Sequence, residues 1–244
     1  MKSLLKITVL ITTYLIILFT TSSCFMEGLT GIKGSNHVVS EDRNISSNFE
    51  IIKVQQGITL YLTQGNLTNI KVEADDNIID LLVTEISNNE LKIYFEKNVS
   101  KAKARNVYLT TSDISKLKTS SGARVKSENT IQTTTLNLDS SSGSSIKVHV
   151  NAKEVNSESS SGSHIKIYGK TKRFSANSSS GSSIDADELE SFEAYTKASS
   201  GSNINVNVSG QLTATASSGG DIDYEGTPTS INKNTSSGGS VSRN

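Results

Sequence analysis

Ser141-Ser142-Gly143-Ser144-Ser145-Ile146-Lys147-Val148-His149-Val150 is answered nineteen residues later by Ser160-Ser161-Gly162-Ser163-His164-Ile165-Lys166-Ile167-Tyr168-Gly169. Working outward, Ser-Ser-Gly recurs with its glycine at 122, 143, 162, 181, 201, 219 and 238, at spacings of 21, 19, 19, 20, 18 and 19 residues. Three residues after each glycine stands a β-branched residue: Val125, Ile146, Ile165, Ile184, Ile204, Ile222 and Val241. Two further on come Ser127, Val148, Ile167, Ala186, Val206, Tyr224 and Arg243, mostly apolar. The residue between them is Lys126, Lys147, Lys166, Asp185, Asn205, Asp223 or Ser242. A period of two marks half-buried strands. Seven residues before the glycine an apolar side chain recurs (Leu136, Val155, Phe174, Ala194, Leu212, Ile231), with Ser115 breaking the pattern in the first copy.

A unit with two or three inward apolar residues cannot stand alone and must stack on its copies. About nineteen residues at roughly 3.3 Å each give a circuit near 60 Å, and coils about 4.8 Å apart place seven copies in a rod about 30 Å tall. The expected fold is all-β, a right-handed parallel β-helix (β-solenoid), the hand following from the rule for parallel crossovers. Ser/Gly-rich sequence is more often a flexible linker, but a linker has no reason to hold Ile or Val at one offset seven times. Glycine suits the corner because it tolerates positive φ. If alternation runs through that corner, Ser121, Ser142, Ser161, Ser180, Ser200, Ser218 and Ser237 point inward as a hydroxyl ladder.

Composition agrees with a fold that lacks a bulky core. The 244 residues are 34% hydrophobic and 5% aromatic, with 42 serines, no Trp and a single Cys. Zero formal charge excludes a basic nucleic-acid binder, and one cysteine excludes a disulfide framework or a multi-thiolate zinc site.

Residues 37–118 carry fewer serines and read as a β-rich cap for the N-terminal end of residues 119–244. Alternation is clear in Ile58–Leu62, Ile70–Ala74 and Leu91–Phe95; Gln64-Gly65-Asn66 and Ser87-Asn88-Asn89 read as turns, as do Gly34 and Gly57, and Asn77 to Ile86 is the one stretch that reads as a short helix.

Lys2 and Lys6 precede an uncharged apolar run from Ile7 to Phe19, a secretory signal segment over residues 1–23. Thr21-Ser22-Ser23-Cys24 resembles the lipobox of bacterial lipoproteins, with Thr21 where Leu is usual. That resemblance makes Cys24 the first mature residue and the site of lipidation, followed by a linker over 24–36, with the membrane as partner. The alternative is an uncleaved signal anchor, since Ile7 to Met26 is long enough to span a bilayer.

Gln55-Gln56-Gly57-Ile58-Thr59-Leu60-Tyr61-Leu62-Thr63-Gln64-Gly65, then Val72-Glu73-Ala74-Asp75-Asp76-Asn77, then Leu91-Lys92-Ile93-Tyr94, followed by the Ser-Ser-Gly series, resembles the head GIN domain of putative auto-transporter adhesins of Bacteroidetes-type bacteria. The resemblance covers roughly residues 37–240. It implies a right-handed β-helix on a lipid-anchored cell-envelope protein, in the outer membrane and facing the periplasm or the surface. It supplies no catalytic residues.

No catalytic motif is visible. His37, His149 and His164 have no Ser/His/Asp pattern around them. The candidate site comes from stacking: in register, Asp185, Asn205 and Asp223 form one outward column and Asp187, Asn207 and Glu225 a second. This grid of oxygens suits hydrogen bonds to sugar hydroxyls, or calcium at Asp185, Asn205 and Asp223; a hydrated polar face with Lys166 paired to Asp185 is the plainer reading. A further outward row places His149, Tyr168 and Asp187 together. The expected function is a non-enzymatic adhesin that binds protein or glycan, with no cofactor and no nucleic acid. Two alternatives stay open. One is a structural envelope protein; the other is a carbohydrate-active β-helix enzyme, a polysaccharide lyase or a glycosidase using Asp185/Asp223 or Asp187/Glu225 at about 9.6 Å.

Overall fold

The computed structural model describes residues 31–45 and 48–244. The signal segment and Cys24 lie outside the described residues. In chain order the strands are β1 (Ile32–Lys33), β2 (Val38–Arg43), β3 (Ile51–Val54), β4 (Thr59–Gln64), β5 (Asn69–Asp75), β6 (Leu82–Ser87), β7 (Glu90–Phe95), β8 (Val99–Lys101), β9 (Arg105–Thr111) and β10 (Lys116–Thr119). There follow β11 (Arg124–Ser140), β12 (Ser145–Ser159), β13 (His164–Ser178), β14 (Ser183–Ala198), β15 (Asn203–Ala216), β16 (Asp221–Glu225), β17 (Ser230–Thr235) and β18 (Ser240–Arg243). The stretch read as a short helix forms one turn of 3-10 helix, Ile79–Leu81, and then becomes β6.

The repeats stack as a parallel β-solenoid. β11 pairs β12, β12 pairs β13, β13 pairs β14 and β14 pairs β15, all parallel, and each long strand carries one coil from corner to corner. Register aligns Val125, Ile146, Ile165, Ile184, Ile204, Ile222 and Val241 in one file. All but Val241 are at most 1% exposed. A second file runs Leu136, Val155, Phe174, Ala194, Leu212, Ile231, in which the large Phe174 sits between the smaller Val155 and Ala194. The β-branched side chains fit the pleated interior.

The corner differs from the expectation. Ser142 (φ 53°) and Gly143 (φ 67°) are both left-handed, and the same pair of conformations recurs in all seven copies. The Ser144 N–H donates to the Ser141 carbonyl at 3.2 Å, which makes a type I′ turn. Two successive left-handed residues break the alternation, so the serine before each glycine does not point inward; the residue after it does. The hydroxyl ladder therefore consists of Ser144, Ser163, Ser182 and Ser202, all at most 3% exposed. Ser163 Oγ donates to the Ser140 carbonyl of the preceding coil at 2.7 Å, Ser182 Oγ to Ser159 at 2.8 Å and Ser202 Oγ to Ser178 at 2.7 Å. These ladder hydroxyls thus find their partners in the neighbouring coil. The glycines stand in single file, and from Gly122 to Gly219 each N–H is bonded to the carbonyl of the serine before the next glycine, as from Gly143 to Ser161 at 3.1 Å.

The N-terminal part adds coils of its own. β3 and β4 meet at Gln56 (φ 58°) and Gly57 (φ 70°), the same left-handed corner in a different sequence. This coil lies between two others: β3 pairs β10 on one side and β7 on the other, while β4 pairs β11 and β9. Beyond β7 and β9 the direction reverses. β6 runs antiparallel to β7, joined to it through left-handed Asn88 and Asn89, β5 antiparallel to β9, and β2 antiparallel to β5. Antiparallel strands thus close the N-terminal end of the parallel stack.

Candidate functional site

The +4 position faces outward because +3 is buried from Val125 to Ile222 and +5 from Val148 to Tyr224, and the first expected column is in register. Lys126, Lys147, Lys166, Asp185, Asn205 and Asp223 follow one another on successive coils. The second column is broken. Asn207 pairs Glu225, but its partner in β14 is Glu190, because a bulge of extra residues follows Ala186. Asp187 is thereby moved out of line with Asn207; a bulge leaves residues unpaired and re-aims them. The row of His149, Tyr168 and Asp187 is likewise cut: the two rings stack at 4.6 Å and 9°, but the register shifts between Lys166 and Gly169.

Asp185 and Asp187 sit two residues apart on one face and answer to Lys166. Its Nζ lies 3.0 Å from Asp185 Oδ2, 3.4 Å from Glu188 Oε1 and 4.0 Å from Asp187 Oδ1, and 5.1 Å above the Tyr168 ring. Burial pushes the Asp185 carboxyl up, but its hydrogen bonds to Asp187 and Lys166 outweigh that and hold it below the usual range. Asp187 is pushed up, by burial first and then by the neighbouring Asp185. Asp223 Oδ1 accepts a bond from Ser242 Oγ at 2.6 Å. Among the described residues no three His, Cys, Asp or Glu side chains come together as a metal set. The column thus offers Asp185 to a cation only in competition with an ammonium already in contact.

Two features were missed in the sequence. Tyr61 is the +4 residue of the Gln56-Gly57 corner and pairs Lys126 in register, while Tyr108 lies on its other side. Their rings stack at 5.0 Å and 11°, with Lys126 Nζ 5.7 Å from the Tyr61 centroid. Beside them runs a groove of about 520 Å³ lined by Asp42, Lys71, Asn69, Thr63 and Glu128. Burial and the nearby Glu73 charge raise the Tyr108 hydroxyl pKa. Reading Gln55-Gln56-Gly57 as a further copy of the corner would have placed Tyr61 on the lysine column.

The second feature gathers Ser35, His37 and Asp76. Ser35 Oγ donates to Asp76 Oδ1, and His37 Nδ1 lies 3.2 Å from Asp76 Oδ2. Serine and imidazole both bind the carboxylate, whereas nucleophilic catalysis needs the serine on the imidazole. His164 Nδ1 meets Ser183 Oγ at 2.7 Å, on an exposed part of the face.

Residues 48–228 match the family described as putative auto-transporter adhesin, head GIN domain. The chain belongs to this family. Solved structures share the fold of this head GIN domain. A putative adhesin from Bacteroides fragilis superposes with a TM-score of 0.81 at 20% identity, over 88% of this chain and 100% of the other. A putative lipid binding protein from Parabacteroides distasonis gives 0.69 at 18% identity over 88% and 100%. A putative adhesin from Parabacteroides merdae gives 0.68 at 16% over 88% and 99%. No curated protein matches the chain. Among the described residues of this head GIN domain protein, no helix is long and apolar enough to cross a membrane.

Proposed function

We propose that the protein is a non-enzymatic lipoprotein of the bacterial cell envelope, anchored through Cys24 in the outer membrane, whose solenoid head adheres to protein or glycan through its polar faces. The observation that carries this reading is the outward column from Lys126 to Asp223, a flat, in-register array of charges and amides on a sheet. Flat arrays recognise extended partners, whereas small-molecule sites are concave and mostly apolar. The family description and the names of the structural relatives point the same way. Fold likeness alone carries little about function, so the surface chemistry bears the weight.

The test has two arms. Cys24→Ala is expected to release the protein from membranes into the soluble fraction; continued membrane association overturns the lipid anchor in favour of an uncleaved segment. Immobilised protein is expected to retain glycans or matrix proteins from a defined panel without altering them. Reducing ends or unsaturated sugars that appear with wild type and vanish with Asp223→Ala overturn the non-enzymatic reading.

A further inference from the structure

Charge is distributed unevenly along the rod. Residues 116–180 hold ten Lys and Arg against four Asp and Glu, while residues 181–244 hold three against eight. On the face that follows the Ser-Ser-Gly corner this becomes an ordered sequence: Lys126, Lys147, Lys166, Asp185, Asn205, Asp223 from one coil to the next. Arg124 and Asp221 begin and end the neighbouring column.

Within one chain this arrangement is compensated only in part, by the Tyr61 ring under Lys126 and the Tyr168 ring under Lys147 and Lys166. Like charges aligned on adjacent strands repel, and Lys126, Lys147 and Lys166 stand on three adjacent coils. Lys166 finds Asp185. Among the described residues Arg124, Lys126 and Lys147 make no ion pair, nor do Asp221 and Asp223.

In these two columns the order of charges is self-complementary under a half-turn. Take an axis parallel to the strands, in the plane of the interface and midway between the coils of Lys166 and Asp185. Rotation about it reverses the rod and keeps each column opposite itself. Lys126 then meets Asp223 of the second copy, Lys147 meets Asn205, and Arg124 in the neighbouring column meets Asp221. At the centre the two Lys166–Asp185 pairs form a cluster of four alternating charges. Isologous contacts of this kind are the commonest basis of homodimers. We propose that this face binds a second copy of the same chain, antiparallel and side by side.

The face measures about 29 Å along six coils and about 17 Å across five strand residues. Pairing thus covers about 1,000 Å² in total, the low end for specific interfaces, and the association is expected to be weak and screened by salt. Being antiparallel, the pair puts its two N-terminal caps at opposite ends, an arrangement suited to copies projecting from facing surfaces. That biological setting rests on the adhesion reading above; the pairing itself does not.

Sedimentation of the full chain, in detergent where its N-terminal segment requires it, reads the outcome. Wild type is expected to dimerise reversibly at low ionic strength and to weaken at least about tenfold between 0.05 and 0.5 M salt, roughly as screening lengths shorten. Lys126→Asp and Asp223→Lys are each expected to abolish the dimer. The double variant, which restores opposite charges across the axis, is expected to regain it. Lys126→Gln and Asp223→Asn provide a milder pair should a reversal fail to fold, and are expected to weaken the dimer individually. A zero-length carboxyl–amine cross-linker is expected to join Lys126 to Asp223; five coil spacings separate them within one copy, about 24 Å, so that link forms only between copies. A wild type that stays monomeric at low salt, a dimer indifferent to both single changes, or cross-links that avoid this pair overturns the inference. A monomer that still binds glycan or matrix protein sinks the pairing and spares the adhesion reading, whereas a dimer that binds no foreign ligand does the reverse.

Discussion

The Gly57 N–H donates to the Ser121 carbonyl at 2.9 Å, joining residues sixty-four positions apart across adjacent coils. The same bond runs from Gly122 to Ser142, at 3.1 Å, and onward through the repeats. What the corner requires is thus a backbone conformation, two left-handed residues in succession, and Gln56-Gly57 supplies it as Ser-Gly does. The coil built first is enclosed by coils built later, because the chain leaves β4 to form the cap and returns on the other side of β3.

Glycine replacements should therefore rank by what an added methyl meets. At Gly143 it meets nothing within 4 Å, leaving only the strain of φ 67°, about 1 kcal/mol. At Gly57 it also lies 3.0 Å from Arg105 Nη1, a flexible group that can yield, so Gly57→Ala should cost slightly more. At Gly169 it would stand 2.0 Å from the Val150 carbonyl oxygen, with φ 112°. Gly169→Ala must push two coils apart and should cost several kcal/mol, on the order of other forced core distortions. Urea denaturation of the three variants reads this order directly, and equal losses would refute it.

Ile184 tests the interior. It is fully buried in the file between Ile165 and Ile204. Ile184→Val removes one methylene and should cost about 1 kcal/mol. Ile184→Asp buries an unpaired carboxylate, costs several kcal/mol, and should melt the middle coils in a circular dichroism scan. A near-wild-type curve for the aspartate variant would show the file to be solvent-accessible.

These files were legible because the repeat fixes them. Isoleucine or valine three residues after seven glycines leaves one inward face, and register follows from the spacing. Alternation could not show where it stops. In the four copies where serine also follows the glycine, the serines before and after it are chemically alike, and only the left-handed pair at Ser142 and Gly143 decides that Ser144 faces in. Asp187 was misplaced for a related reason, since the bulge after Ala186 inserts residues that an offset from the glycine cannot register. The Tyr61–Tyr108 stack stayed hidden because its coils lack the Ser-Ser-Gly marker and stack out of chain order.

Lys166 governs the acidic end of the outward column. Because its ammonium already meets Asp185 and Glu188, about 1 mM calcium, enough for extracellular calcium modules, should leave the wild-type melting temperature unchanged. Asp187, pushed up by burial and by Asp185, is harder to charge in the folded chain than in the unfolded one. A folded pKa above the unfolded one gives stability that is present below the unfolded value and lost as pH rises. Asp187→Asn should accordingly stabilise the protein at neutral pH, by no more than about 0.5 kcal/mol on so exposed a surface. Calorimetry at pH 7 with and without calcium checks both; a calcium-dependent rise in melting temperature would instead support a cation site at Asp185.

Asp75 sets the acid limit of the N-terminal cap. Its side chain is fully buried at the end of β5. Burial alone raises its pKa, but the backbone N–H groups of Ala104, Asn36 and Lys103 donate to it, at 2.9, 2.8 and 3.0 Å, and outweigh burial so that the net shift is downward. A folded pKa below the unfolded value near 3.9 gives stability that is complete above that value and is lost as pH falls through the folded pKa. Acid should therefore loosen the segments that Asp75 ties together, residues 34–37 and 102–105, before it reaches the hydroxyl-lined coils, whose serines do not titrate. Asp75→Asn keeps the shape but turns one acceptor into a donor facing backbone N–H groups, and should cost about 2 kcal/mol at neutral pH. It should also flatten the dependence of stability on pH below 4. Hydrogen exchange at pH 3 to 5 reads both effects locally: early exchange at the Asn36, Lys103 and Ala104 amides, with those of Ile165 and Ile184 still protected, is the expected pattern, and uniform loss along the rod would assign the acid limit to some other carboxylate.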